Sequence, residues 1–234
     1  MKNKILLLVT TISSAVVSAS AATIDYATDT GTAYQTPSIS TYDTYGNDMS
    51  GMEVWVTFSN GSTEHAIWAT TGVQSGAATV GGYFKISETG DTFDNLAWTL
   101  QNLNNTLSIT SFTLFGVPGN TIFDRTFGGL VGTPGSAYGK DFNTTGNYNV
   151  TATYSDALSL TGSAAVGDEW EQLSIAFTHG TFFAPDAQLN FSQDTDNAKV
   201  KGTITTVPDA GSTSIMLGMG LMGVAALKRR FAKA

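Results

Sequence analysis

The sequence predicts an all-β fold, an antiparallel β-sandwich of jelly-roll type, flanked by an N-terminal signal peptide and a C-terminal transmembrane helix. Three observations predict it. Short apolar/polar alternations recur through the middle of the 234 residues at roughly ten-residue spacing, with turn signals between nearly all of them. No stretch of that middle has a convincing helical period. Both ends carry uncharged, mainly apolar runs that the middle lacks. These divide the chain into residues 1–21, 22–206 and 207–234.

Residues 1–21 read as a signal peptide. Lys2 and Lys4 make a basic start, Ile5 to Val17 an apolar stretch too short for a stable anchor, and Ala19-Ser20-Ala21 a small-x-small cleavage site, with Ala19 and Ala21 as the small residues. Such a segment hands the chain to a secretion translocase.

Thr23 to Asp48 is polar and weakly periodic, an irregular lead with one edge strand. From Met52 the alternation is clear, with Met52, Val54, Val56 and Phe58 on one face and Glu53, Trp55 and Thr57 on the other. Asn60-Gly61 signals a hairpin returning through Thr63 to Thr70. Further strands are predicted at Gly82–Ser87, Leu96–Leu100, Leu107–Phe115, Thr121–Asp124 and Asn147–Tyr154. Gln172–Thr178, Gln188–Phe191 and Lys199–Thr205 close the series. Neither a repeat nor a composition break divides this region, so 22–206 is one exported domain.

In the tail, Val207-Pro208-Asp209-Ala210-Gly211-Ser212-Thr213 leads into 13 uncharged residues from Ile215 to Leu227, followed by Lys228, Arg229 and Arg230. Thirteen residues of helix cover only about 20 Å. The flanking serines and threonine and the snorkelling cations extend the span to 213–230, long enough for a bilayer. The basic end, 228–233, is the membrane stop and stays cytoplasmic, which places everything before Val207 outside. The competing reading is a buried helix of a soluble fold. Gly218, Gly220 and Gly223 would weaken such a helix, and the basic cluster argues against it.

Motif, span and basic cluster together resemble a PEP-CTERM sorting signal of the Val-Pro-Asp-Ser-Gly variant, with Ala210 standing where that signature has serine. The resemblance implies recognition by an exosortase, a membrane transpeptidase, with cleavage near the motif and transfer to the cell envelope or extracellular matrix. Gly90-Asp91-Thr92-Phe93, Phe123-Asp124-Arg125, Gly135-Ser136-Ala137 and Gln193-Asp194-Thr195-Asp196-Asn197 are similar to stretches of the exported domains that precede such tails. That likeness implies a compartment and a fold, and no activity.

Between the tails, five basic residues stand against 18 acidic ones, a net charge of −13. Such a domain repels nucleic acid and anionic membranes and attracts divalent cations. The chain has no cysteine, which excludes disulfides, thiolate metal sites and thiol catalysis.

Asp194, Asp196 and Asn197 offer the oxygen donors that Ca²⁺ takes, and their spacing matches the opening of a calcium loop, although no glycine and no closing Glu follow. Asp124 or Asp168 completes a site only if the fold brings it near. The alternative is an acidic turn bonded to its own backbone. Asp168-Glu169-Trp170-Glu171 sets two acids about 7 Å apart on one face if extended, the spacing of a glycosidase pair. That coincidence is weak, and solvated strand-edge acids beside a core Trp explain it better. His65 and His179 cannot supply a three-ligand zinc site, and no Gly-x-Ser-x-Gly elbow accompanies them. Trp55, Trp68, Trp98 and Trp170 form either a carbohydrate platform or core.

The expectation is a non-enzymatic, exported surface or matrix protein of structural or adhesive type, carrying a sorting tail. Ca²⁺ is its candidate cofactor and extracellular polysaccharide a candidate partner. The alternative is a carbohydrate-binding, lectin-like module or a weak glycoside hydrolase.

Overall fold

The computed structural model describes residues 22–29, 34–36, 39–41, 43–125, 139–160, 165–180, 182–198 and 205–206. Strands dominate them. In chain order they are β1 (Ile24–Asp29), β2 (Tyr34–Thr36), β3 (Ile39–Thr41), β4 (Glu53–Phe58), β5 (Thr63–Ile67) and β6 (Ala69–Gly72). Next come β7 (Ser75–Val80), β8 (Phe84–Thr89), β9 (Trp98–Asn102), β10 (Ile109–Phe115) and β11 (Thr121–Asp124). The series ends with β12 (Asn143–Thr144), β13 (Val150–Leu160), β14 (Ala165–Phe177), β15 (Gln188–Ser192), β16 (Asp194–Ala198) and β17 (Thr205–Thr206). Among the described residues the one helical element is a 3-10 turn at Val117–Gly119.

Two sheets form the sandwich. One is ordered β12-β15-β9-β8-β7-β6 and is antiparallel throughout. The other runs β17-β2-β13-β14-β10-β4-β5. Its central strand, β14, is 13 residues long and serves two neighbours along one edge. Residues 172–176 pair with β10, and Glu169 and Trp170 pair with β11, from which β16 and then β3 extend the sheet. The all-antiparallel expectation gives way at one edge, where β1 and β2 both run parallel to β13.

The alternation in the sequence is realised in β4, which buries Val54, Val56 and Phe58 and leaves Trp55 exposed. Gly61, at φ 83°, takes the left-handed conformation of the turn into β5. After β5 the chain crosses between sheets at Trp68, which is buried and donates its indole N–H to the Gly46 carbonyl at 2.7 Å. β7 is missing from the sequence-based assignment because its Gly and Ala residues carry no apolar alternation. Its composition has a packing reason: a Cβ on Gly76 would lie 2.1 Å from both the Gly46 carbonyl oxygen and Trp68 Nε1. The polar lead contains three short strands, and β14 begins seven residues earlier than predicted.

Aromatic rings join the sheets. Phe191 on β15 packs against Trp98 at 5.6 Å between centroids, Phe142 at 5.3 Å and Phe112 of the opposite sheet at 5.7 Å. Trp98 continues to Trp68 at 5.4 Å, and Phe112 continues to Phe177 at 6.4 Å. Phe191→Ala is expected to cost about 3–5 kcal/mol through lost transfer energy and a cavity between the sheets. Trp55→Ala removes an exposed ring stacked on His65 and is expected to cost about 1 kcal/mol or less. Urea unfolding midpoints of the two variants test this, and equal losses would contradict the assignment of Phe191 as the inter-sheet anchor.

Candidate functional site

β11 lies between β14 and β16, and its register sets Asp124 opposite Glu169 on one side and Asp194 on the other. Ile122 stands opposite Asp196. Directly opposed residues share a face of the sheet, so Asp124, Asp194, Asp196 and Glu169 stand together on the face that carries Ile122. Ile122 packs with Ile39 and Leu158 in a small apolar patch separate from the main core, whereas Phe123 and Trp170 point into that core. The four carboxylates are nonetheless buried, none more than 1% exposed. One oxygen from each of Asp124, Asp194 and Asp196 lies within 4.8 Å of the others. Gly139 presses on this group, since a Cβ there would come within 2.5 Å of Asp124 Oδ1.

Two nearby cations have partners outside this group. Arg125 donates from Nε to Asp141 Oδ1 at 2.8 Å and lies over the rings of Tyr154 and Tyr26. Lys140 Nζ donates to Asn95 Oδ1 and the Phe93 carbonyl. Burial therefore acts on acids already crowded by like charge. It pushes Glu169 up to about 8, helped by Asp124 and Asp168. Asp194 also rises to about 8 through burial and Asp124, although Thr92 Oγ1 donates to its Oδ1 at 3.2 Å and opposes the shift.

The structure sorts the residues singled out in the sequence. Asp194, Asp196 and Asn197 lie in a strand rather than in an acidic turn or a calcium loop, because β16 is paired on both sides by β11 and β3. Strand alternation sends Asp194 and Asp196 to Asp124 and turns Asn197 the other way, where its amide donates to Thr44 Oγ1 at 3.1 Å. Asp168 receives the Arg125 backbone N–H on its carbonyl and does not belong to the group of three aspartates. Glu169 and Glu171 are not solvated edge acids: both are fully buried in β14, whose edges are taken by β13 and β11, while Trp170 sits in the core as expected. Burial, with Asp156 nearby, raises Glu171 to about 9. His65 is stacked on Trp55 and lies 3.5 Å from Glu53, and exposed His179 occupies a left-handed turn. Trp68, Trp98 and Trp170 are core, so a four-tryptophan sugar platform does not exist.

A polar surface cleft of about 420 Å³ lies elsewhere, lined by Asn147, Tyr148, Gln188 and Asn190 among others. Glu88, missed in the sequence, is buried on β8 beside the Gly46 backbone. Ala19, Ala21, Val207–Thr213, Lys228, Arg229 and Arg230 lie outside the described residues, as do the predicted signal peptide and transmembrane span. Among the described residues no helix is long and apolar enough to cross a membrane.

The model of the VPDSG-CTERM motif, a PEP-CTERM-like exosortase sorting signal, matches residues 206–231. The match covers the tail alone and identifies it as a sorting signal, which implies export and processing at a membrane. No curated protein and no solved structure matches the chain.

Burial raises Glu88 from its ordinary 4.5 to about 9, aided by Asp91 and, more weakly, by Asp94 and Asp48, against the pull of the nearby Gly46 N–H. The folded state therefore holds this proton more tightly than the unfolded chain does. The stability it contributes is complete below pH 4.5 and is lost as pH rises through about 9. In EDTA the urea midpoint is expected to fall from about pH 5 to about pH 9, and Glu88→Gln should make that fall shallower. An unchanged slope in the variant would refute this role for Glu88.

Proposed function

We propose that the chain is a non-enzymatic structural or adhesive protein of the cell envelope or extracellular matrix, delivered there by its C-terminal signal. The observation that carries this reading is the VPDSG-CTERM match at 206–231 placed directly after an all-β sandwich. An exosortase-type transpeptidase is the processing partner, and a secretion translocase acts before it. The N-terminal segment supports cleavage at the Ala19-Ser20-Ala21 site, after Ala21 or Ala22. The charge of −13 and the absence of cysteine suit a surface domain that stays soluble and relies on packing for stability.

Replacing Val207, Pro208 and Asp209 together by alanine is expected to block processing. Mass spectrometry of protein from its native cells should then find a C-terminus at or before Thr213 for the wild type and an intact Ala234 for the variant. Identical C-termini in the two proteins would refute recognition of the motif.

A carbohydrate-binding reading has one observation in its favour, the cleft beside Tyr148. Its aromatic edge and the amides of Asn147, Gln188 and Asn190 are groups that bond sugar hydroxyls. On this reading a polysaccharide panel raises the melting temperature of the wild type and not of Tyr148→Ala. No shift with any glycan would remove it.

A further inference from the structure

Acidic residues crowd many protein surfaces without binding anything, so the three aspartates alone do not define a site. Glu169 adds an independent observation. It stands directly opposite Asp124 on the adjacent strand, is fully buried, and neither of its carboxylate oxygens has a hydrogen-bond partner among the described residues. A buried, unpartnered carboxylate costs several kcal/mol unless a proton or a cation compensates it. Here it faces a group that already concentrates negative charge.

We propose that Asp124, Asp194, Asp196 and Glu169 bind one Ca²⁺ ion. The donors are all carboxylate oxygens, with no His in the group and no Cys in the chain, which selects a hard cation over zinc or copper. Two oxygens on opposite sides of Ca²⁺ are separated by about twice the 2.3–2.6 Å bond, and the aspartate oxygens already lie within 4.8 Å of one another. Four carboxylates, some bidentate, reach the six to eight oxygens that Ca²⁺ takes. Mg²⁺ keeps several waters and needs stricter octahedral geometry, which a dry group fixed on strand backbones does not offer. The ion would tie β14, β11 and β16 together where the apolar patch among the described residues is Ile39, Ile122 and Leu158. This site stands apart from the tail and does not depend on how the tail is processed.

The full-length chain, stripped with EDTA in detergent, is titrated with CaCl₂ by calorimetry and melted with CaCl₂ or MgCl₂. One Ca²⁺ per chain is expected, with a dissociation constant of about 10⁻³ M or tighter and a melting temperature that rises with Ca²⁺ far more than with Mg²⁺. Asp196→Asn and Glu169→Gln should each weaken binding on the order of tenfold or more. Glu169→Gln keeps shape and removes only charge, so it should melt no lower than wild type in EDTA; that readout holds even if Asp196→Asn does not fold. No heat and no shift up to about 10 mM CaCl₂, an equal response to MgCl₂, or unchanged Ca²⁺ affinity in Glu169→Gln would each overturn the proposal.

Discussion

The sandwich depends on apolar burial between its sheets, with Phe191 meeting Phe112 at its centre, because no covalent link replaces it. A chain without cysteine must hold two sheets together by burying apolar surface. Here the surface is concentrated in rings: Trp68, Trp98, Phe191, Phe142, Phe112 and Phe177 form a connected set with centroid separations of 5.3–6.4 Å. Large rings bury the most area per residue, which suits a chain whose strands are otherwise rich in Thr, Ser and Asn.

The same economy explains why charge is tolerated at β11 and β16. Phe123 and Trp170 anchor that corner to the core from one face. Among the described residues the opposite face contributes little apolar burial, from Ile39, Ile122 and Leu158, and acids stand beside them. Four carboxylates on adjoining strands oppose folding in proportion to their burial, so this corner is least stable when fully ionised and unliganded. Protons and divalent cations are alternative remedies for one repulsion.

What was legible in the sequence follows from how local each signal is. β4 and β15 declare themselves by alternation because one face is buried and the other is wet. β7 was hidden because Gly76 must be small to let Gly46 and Trp68 approach. The front of β14 was hidden because Asp168, Glu169 and Glu171 are polar residues in a strand buried on both sides, against the usual pattern. For the acid site, Asp194 and Asp196 were visible from their spacing, since residues two apart on a strand share a face. Asp124 and Glu169 join them through pairings across 45 or more residues, which no local pattern encodes. The sorting signal was legible because its motif is contiguous in the sequence.

The last described strand, β17, pairs through Thr205 and Thr206 with Gln35 and Tyr34 of β2, and the sorting match begins at Thr206. Folded edge and motif therefore adjoin without a spacer. An enzyme that binds an extended peptide needs its backbone groups unpaired, and a residue held in a ladder does not offer them. Recognition beginning at Val207 leaves β17 in place, whereas recognition reaching further back must first strip β17 from β2. Two strand residues form a weak pairing, and edge strands of this length open at low cost.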